Sequence, residues 1–143
     1  MFLYWVDQRK RFAGSSEPIL EDLPFLKTIE WAGIICLQEN PTSEELATLL
    51  AVPYLHLPIQ DFSIPTETDL ESVLEFFHEI QRDSPDLPIL IHCSEGHGRT
   101  GTILAALLVV IDHISPEDAI QQVRGVNPLA IESKKQENFI INL

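Results

Sequence analysis

Apolar positions along this chain follow two rhythms. Short apolar runs bounded by turn-forming residues read as strands: Gly33-Ile34-Ile35-Cys36-Leu37, Tyr54-Leu55-His56-Leu57-Pro58-Ile59 and Leu87-Pro88-Ile89-Leu90-Ile91. The unbroken runs suit strands buried on both faces. Phe2 to Val6 and the region near Phe12-Ala13 add short strands, expected at a first sheet edge. Between these runs the spacing changes to that of helices. Leu70, Val73, Leu74 and Phe77 fall at i, i+3, i+4 and i+7, one face of an amphipathic helix opened by a capping box of Thr68 and Glu71. Thr42 with Glu45 predicts the same start for a helix carrying Leu46, Leu49 and Leu50. Ser84-Pro85-Asp86 ends one helix. Thr102 to Val110 is apolar all round, as in a buried helix, and Ser115-Pro116 places an N-cap and an N1 proline before another. Pro18 to Lys27 and Ser133 to Ile141 complete the helices. Strands alternating with helices predict an α/β sandwich, a mainly parallel central sheet flanked by helices, as a single domain over residues 1–143.

Composition narrows the function classes. At 143 residues and 45% hydrophobic content the chain can bury a real core. Nine basic against 22 acidic residues leave a net charge of −13. That balance argues against nucleic acid and against anionic membrane surfaces as partners. The apolar start Met1 to Val6 precedes Arg9, Lys10 and Arg11, the reverse of a secretory signal, and Ile103 to Ile111 is too short to span a bilayer. Two cysteines, Cys36 and Cys93, make no disulfide framework, and the expected location is the cytoplasm.

The candidate chemistry lies between the third long apolar run and the buried helix: His92-Cys93-Ser94-Glu95-Gly96-His97-Gly98-Arg99-Thr100-Gly101. A loop joining a strand to a helix N-terminus offers unpaired amides and the positive end of the helix dipole to an anion. The same field favours a thiolate, which makes Cys93 the candidate nucleophile. Arg99, six positions on, supplies a planar fork that matches two phosphate oxygens.

These residues resemble the signature loop of the cysteine-based protein tyrosine phosphatases, and the glycines with Thr100-Gly101 look most like the small atypical dual-specificity type. The resemblance runs from about Phe12 to the C-terminus. It implies hydrolysis of phosphomonoesters through a phosphocysteine on Cys93, with the amides of Ser94, Glu95, Gly96, His97, Gly98 and Arg99 holding the phosphoryl oxygens. It implies that Thr100 bonds the departing thiolate and that His92 orders the loop, a fully satisfied buried histidine being the other reading. Ile59-Gln60-Asp61-Phe62-Ser63-Ile64-Pro65 resembles the family's acid loop, with Gln60 where a proline is usual, and makes Asp61 the general acid and later the base. Asp69, near a helix start, is the second candidate acid, with capping as its alternative. Glu95 is expected to brace the loop and His97 to reach the pocket rim or solvent. Val123-Arg124-Gly125-Val126-Asn127-Pro128-Leu129-Ala130-Ile131-Glu132 resembles a further family segment, with Asn127 in place of a second arginine. Gln136 matches a glutamine that helps place the hydrolytic water; an ordinary surface glutamine is the alternative. Cys36 reads as a core thiol or as a disulfide partner for oxidised Cys93.

The resulting expectation is a metal-independent, cofactor-free monomer acting on phosphotyrosine, or phosphoserine and phosphothreonine, in proteins or peptides. Rival readings are a phosphatase of lipid or RNA 5′-phosphates, which the acidity disfavours, and a phosphate-binding module without turnover.

Overall fold

Strand β5 (Ile89–His92) is buried along its whole length and stands at the middle of the sheet. The computed structural model describes all residues, Met1–Leu143. The other strands are β1 (Leu3–Trp5), β2 (Phe12–Ser15), β3 (Gly33–Cys36) and β4 (Tyr54–His56), in the order β1-β2-β5-β3-β4. Only β1 runs antiparallel, against β2; β2, β5, β3 and β4 are mutually parallel. The register sets Ser15 and Cys36 on either side of His92. The sheet is thus mainly parallel, as the alternating elements predict. One placement differs: β2 is an inner strand, because β5 takes the side that β1 leaves free.

Helices cover both faces. A 3-10 turn (Leu20–Asp22) runs into the short helix α1 (Leu23–Leu26), and α2 (Glu44–Leu50) lies nearby. They pack Leu26, Leu46 and Ala47 on Ala13, Ile34, Leu90 and Trp31. The larger core joins the opposite face, with Phe12, Ile35, Ile89 and Ile91, to α3 (Glu67–Asp83), α4 (Gly98–Asp112), α5 (Pro116–Val126) and α6 (Lys134–Ile141). Helix α4 is buried from Gly98 to Leu108, which explains a sequence apolar on every side. Burial of each large aliphatic side chain there contributes about 1.5–3 kcal/mol.

Two expected caps lie elsewhere. Thr66, not Thr68, caps α3, and Asp69, not Glu71, closes its capping box. The stretch Thr66 to Glu71 fits the pattern in two registers, and the earlier one lets the helix begin just past Pro65. Helix α2 has Ser43 at its N-cap with no side-chain cap. Thr42 donates instead to Gln38 Oε1 at 2.9 Å, and the Ser43 hydroxyl turns into the core toward Tyr54 and His92. Ser115 caps α5 as expected, accepting from the Asp118 amide.

The β1–β2 hairpin is fastened at both ends. Arg11 holds Asp112, at the end of α4, with 2.6 and 3.1 Å contacts and also reaches Asp7 at 2.9 Å. Gly14 leaves room for the Tyr4 ring: a Cβ there would lie 2.6 Å from Tyr4 Cζ and 2.9 Å from Leu104 Cδ1. Gly14→Ala is therefore expected to lower stability by about 1–3 kcal/mol, read as a shifted urea midpoint. An unchanged midpoint would show that this corner is not close-packed.

Candidate active site

Residues Cys93 to His97 leave β5 and enter α4 as a loop whose backbone groups divide by direction. Its carbonyls are taken by the surrounding fold. Ser94 O accepts from the Glu17 amide at 2.9 Å, and His97 O from the amides of Gly101 and Ile131 at 3.1 and 3.0 Å. Gly96 O accepts from the Tyr4 hydroxyl at 2.7 Å and from Asn127 Nδ2 at 3.4 Å. The amides of Ser94, Glu95, His97, Gly98 and Arg99 donate to no acceptor of the protein, while Gly96 N–H donates to Cys93 Sγ at 3.3 Å. Unspent amides at the start of a long helix form an anion cradle. Gly96 makes the turn with φ +86°, and a Cβ there would lie 2.6 Å from the Ser15 carbonyl carbon. No other residue fits that place.

Cys93 and Arg99 are nearly inaccessible, at 3% and 5% exposure. Arg99 Nη1 donates to Ile59 O at 2.9 Å, Nη2 lies 3.6 Å from Asp61 Oδ1, and Nε is buried without a partner. Asp61, Phe62, Cys93, Ser94, Glu95, Arg99 and Glu132 line a cavity of about 60 Å³. The structure therefore brings together the expected nucleophile and arginine, from the β5–α4 segment, and the expected acid, from the loop between β4 and α3. A larger groove of about 750 Å³ beside α3 and α6 contains none of the three. Asp69 is committed to its capping box, leaving Asp61 as the carboxylate of this loop that faces the arginine.

Thr100 is wholly buried and its hydroxyl has no partner. Both His92 nitrogens are engaged, Nε2 with Ser43 Oγ at 2.5 Å and Nδ1 with Cys93 O at 3.3 Å, so the ring ties the base of the loop to α2. Cys36, opposite His92, is a buried free thiol that donates to Asn40 O at 3.5 Å. Burial raises the Cys36 thiol, but His92, Tyr54 and Gln38 outweigh it and the net direction is downward.

One loop residue differs from expectation. Glu95 is exposed and makes no hydrogen bond or ion pair; it stands at the cavity rim instead of bracing the loop. His97 is half-buried, its Nδ1 accepting from Asn127 Nδ2 at 3.0 Å and its ring 5.7 Å from Phe2. Gln136 is not the surface glutamine of the alternative reading. It is fully buried, its Oε1 accepting from the amides of Glu132 and Ser133 at 2.8 and 3.1 Å and its Nε2 donating to Ser63 O at 3.1 Å. Sequence reasoning passed over Tyr4, whose phenol burial pushes strongly upward and keeps as a donor, and Ser133, which donates to Phe62 O at 3.1 Å. The Ser133-x-x-Gln136 spacing is itself a capping-box pattern and could have flagged both ends of that box. Nothing local marks Tyr4, which acts across 92 positions.

A family model for the Swiss Army Knife protein, DSP-PTPase phosphatase domain (PTP-SAK) matches residues 1–140. The chain belongs to the PTP-SAK family. The crystal structure of Tk-PTP in its active form superposes on this PTP-SAK domain with a TM-score of 0.84 at 29% identity, covering 98% of this chain and 93% of that one. Receptor-type tyrosine-protein phosphatase eta of Gallus gallus is 29% identical over 145 residues, 96% of this chain and 10% of the receptor. Phosphatidylglycerophosphate phosphatase PTPMT1 of Arabidopsis thaliana is 24% identical over 144 residues, 98% of this chain and 42% of that protein. The chain spans about half the length of several curated relatives it matches, between 50% and 60%.

Tyr4→Phe removes the better of two donors to Gly96 O. It is expected to cost about 1 kcal/mol of stability and to weaken orthovanadate binding several-fold. Unchanged vanadate affinity would mean that the loop does not lean on this hydroxyl.

Proposed function

We infer that this PTP-SAK domain hydrolyses phosphomonoesters on proteins or peptides, phosphotyrosine first, through a phosphocysteine on Cys93. The observation that carries the reading is the convergence of Cys93, Arg99 and Asp61 on one small cavity floored by unspent amides. The phosphoryl oxygens occupy the amide cradle and the Arg99 fork, which exchanges its Asp61 contact for the dianion. Cys93 Sγ attacks phosphorus as the P–O bond breaks, and Asp61 gives its proton to the leaving oxygen. Water then attacks the phosphocysteine, Asp61 takes the water's proton, the S–P bond breaks and phosphate leaves. Thr100, a buried hydroxyl with no other partner, is the donor available to the released thiolate. The amides and Arg99 supply the charge stabilisation, so the step needs no metal.

The protein-substrate reading rests on the rim. Asp61, Glu95 and Glu132 ring a cavity whose one cationic side chain is Arg99. With a net charge of −13 they repel a polyanionic headgroup or an RNA end more than a single phosphate on a neutral or basic peptide. The PTPMT1 relative keeps a lipid phosphomonoester as the second reading. The relevant compartment is a reducing one, the cytoplasm, where the Cys93 thiol persists.

Turnover of p-nitrophenyl phosphate, unaffected by a strong chelator, is the direct test. Cys93→Ser should abolish it while orthophosphate still binds, because the amide cradle survives. Substantial turnover by a clean Cys93→Ser preparation would remove the nucleophile from the scheme. For Asp61→Asn the loss should follow the leaving group. It should approach ~10²-fold or more for phenyl phosphate and phosphotyrosine and be smaller for p-nitrophenyl phosphate. Equal losses across leaving groups would reduce Asp61 to a loop residue.

A further inference from the structure

The residue after the candidate acid is held in an unfavourable backbone shape. Phe62 has φ +63°, rare for a bulky side chain, and the residue is 57% exposed, so burial does not impose the conformation. Within the loop only the contacts of Phe62 N–H with Asp61 Oδ1 at 2.9 Å and of Ser63 N–H with Gln60 O at 2.9 Å support it. The remaining support comes from α6. Ser133 Oγ donates to Phe62 O, and Gln136 Nε2 donates to Ser63 O, both at 3.1 Å. Both side chains also close the capping box of α6, so the helix start that fixes them is the same structure that grips the loop. The Gln136 amide lies over the first turn of α4 as well. A Cβ on Gly98 would be 3.1 and 3.2 Å from its two polar atoms. Gln136 thus spans from the helix that carries Arg99 to the loop that carries Asp61.

We propose that the N-cap of α6 is the latch of the acid loop, with Ser133 and Gln136 as positioning residues that keep Asp61 over Arg99. The proposal rests on the reading of Asp61 as the acid. Gln136 is oriented for it. Both lone pairs of its amide oxygen are spent on the Glu132 and Ser133 amides, and a flipped amide would set N–H against N–H. The oxygen that would accept a proton from the hydrolytic water is therefore engaged, and Gln136 acts through Asp61 and not on the water itself.

Gln136→Glu separates the two duties of this side chain. A carboxylate still accepts from the Glu132 and Ser133 amides, but it cannot donate to Ser63 O. Two readouts are needed. Hydrogen exchange of residues 61–64 reads the latch without any turnover, and should quicken at least ~10-fold in Gln136→Glu with the rest of the protein unchanged. Kinetics read the consequence: kcat/KM should fall ~10-fold for phenyl phosphate and less for p-nitrophenyl phosphate, with the loss absent in an Asp61→Asn background. Ser133→Ala should behave the same way and Ser133→Thr should restore the parent values; this pair carries the test if Gln136→Glu does not fold. Unchanged exchange in the loop overturns the latch. So does an equal loss across leaving groups, or a slowing of phosphocysteine breakdown by Gln136→Glu that persists in the Asp61→Asn background, which would return Gln136 to the water. A parent enzyme with no turnover on any aryl phosphate would sink the phosphatase reading, while the exchange result would still decide the latch.

Discussion

A loop that presents its amides to an anion must turn its carbonyls the other way, and buried carbonyls need donors. That obligation shapes the neighbourhood of Cys93. Glu17 answers Ser94, Tyr4 and Asn127 answer Gly96, and Ile131 with Gly101 answers His97. The donors come from the β1–β2 hairpin, from the turn that follows it, from the segment between α5 and α6 and, for Gly101, from α4 itself. None of these donors lines the cavity, so much of the domain serves to hold the outer side of a short stretch of backbone. Arg124 extends the arrangement by donating to the carbonyls of Ala130 and Ile131, fixing the segment whose amide reaches His97.

Charge raises a second requirement. A chain carrying thirteen excess negative charges binds an anion only if local dipoles outweigh the overall field. The cradle relies on amides and the start of α4, and on a single arginine kept close to the cavity by Ile59 O and Asp61. Asp61, Glu95 and Glu132 meanwhile set three carboxylates around that same cavity.

The hydrophobic pattern revealed the sheet, its parallel character and every long helix, because burial on two faces or one leaves a direct trace in spacing. The Cys93-to-Arg99 loop was equally plain, since nucleophile, glycines and fork are contiguous. Capping positions were less legible: Thr66 to Glu71 offers two equivalent registers, and Ser43 spends its hydroxyl on a distant histidine. Asn127 read as a lost arginine, yet it donates to Gly96 O and His97, a duty visible only once residues 31 positions apart meet. Glu95 was misplaced for the opposite reason. Its position inside the loop suggested a brace, but a carboxylate accepts only, and the loop's unspent groups are themselves amides pledged to an anion.

The pairing of Phe12 with Ile89 has a consequence in time. β5 lies between strands that are encoded far earlier in the chain, so its neighbours can be recruited only by closing long loops, the slow contacts of folding. Helices α3 and α4 can gather from local contacts, but the cradle lacks its outer donors until the N-terminal hairpin docks. The shape of the loop after Cys93 is therefore expected to be a late property of the folding chain. A refolding molecule should regain its helical signal before the outer donors of that loop are in place.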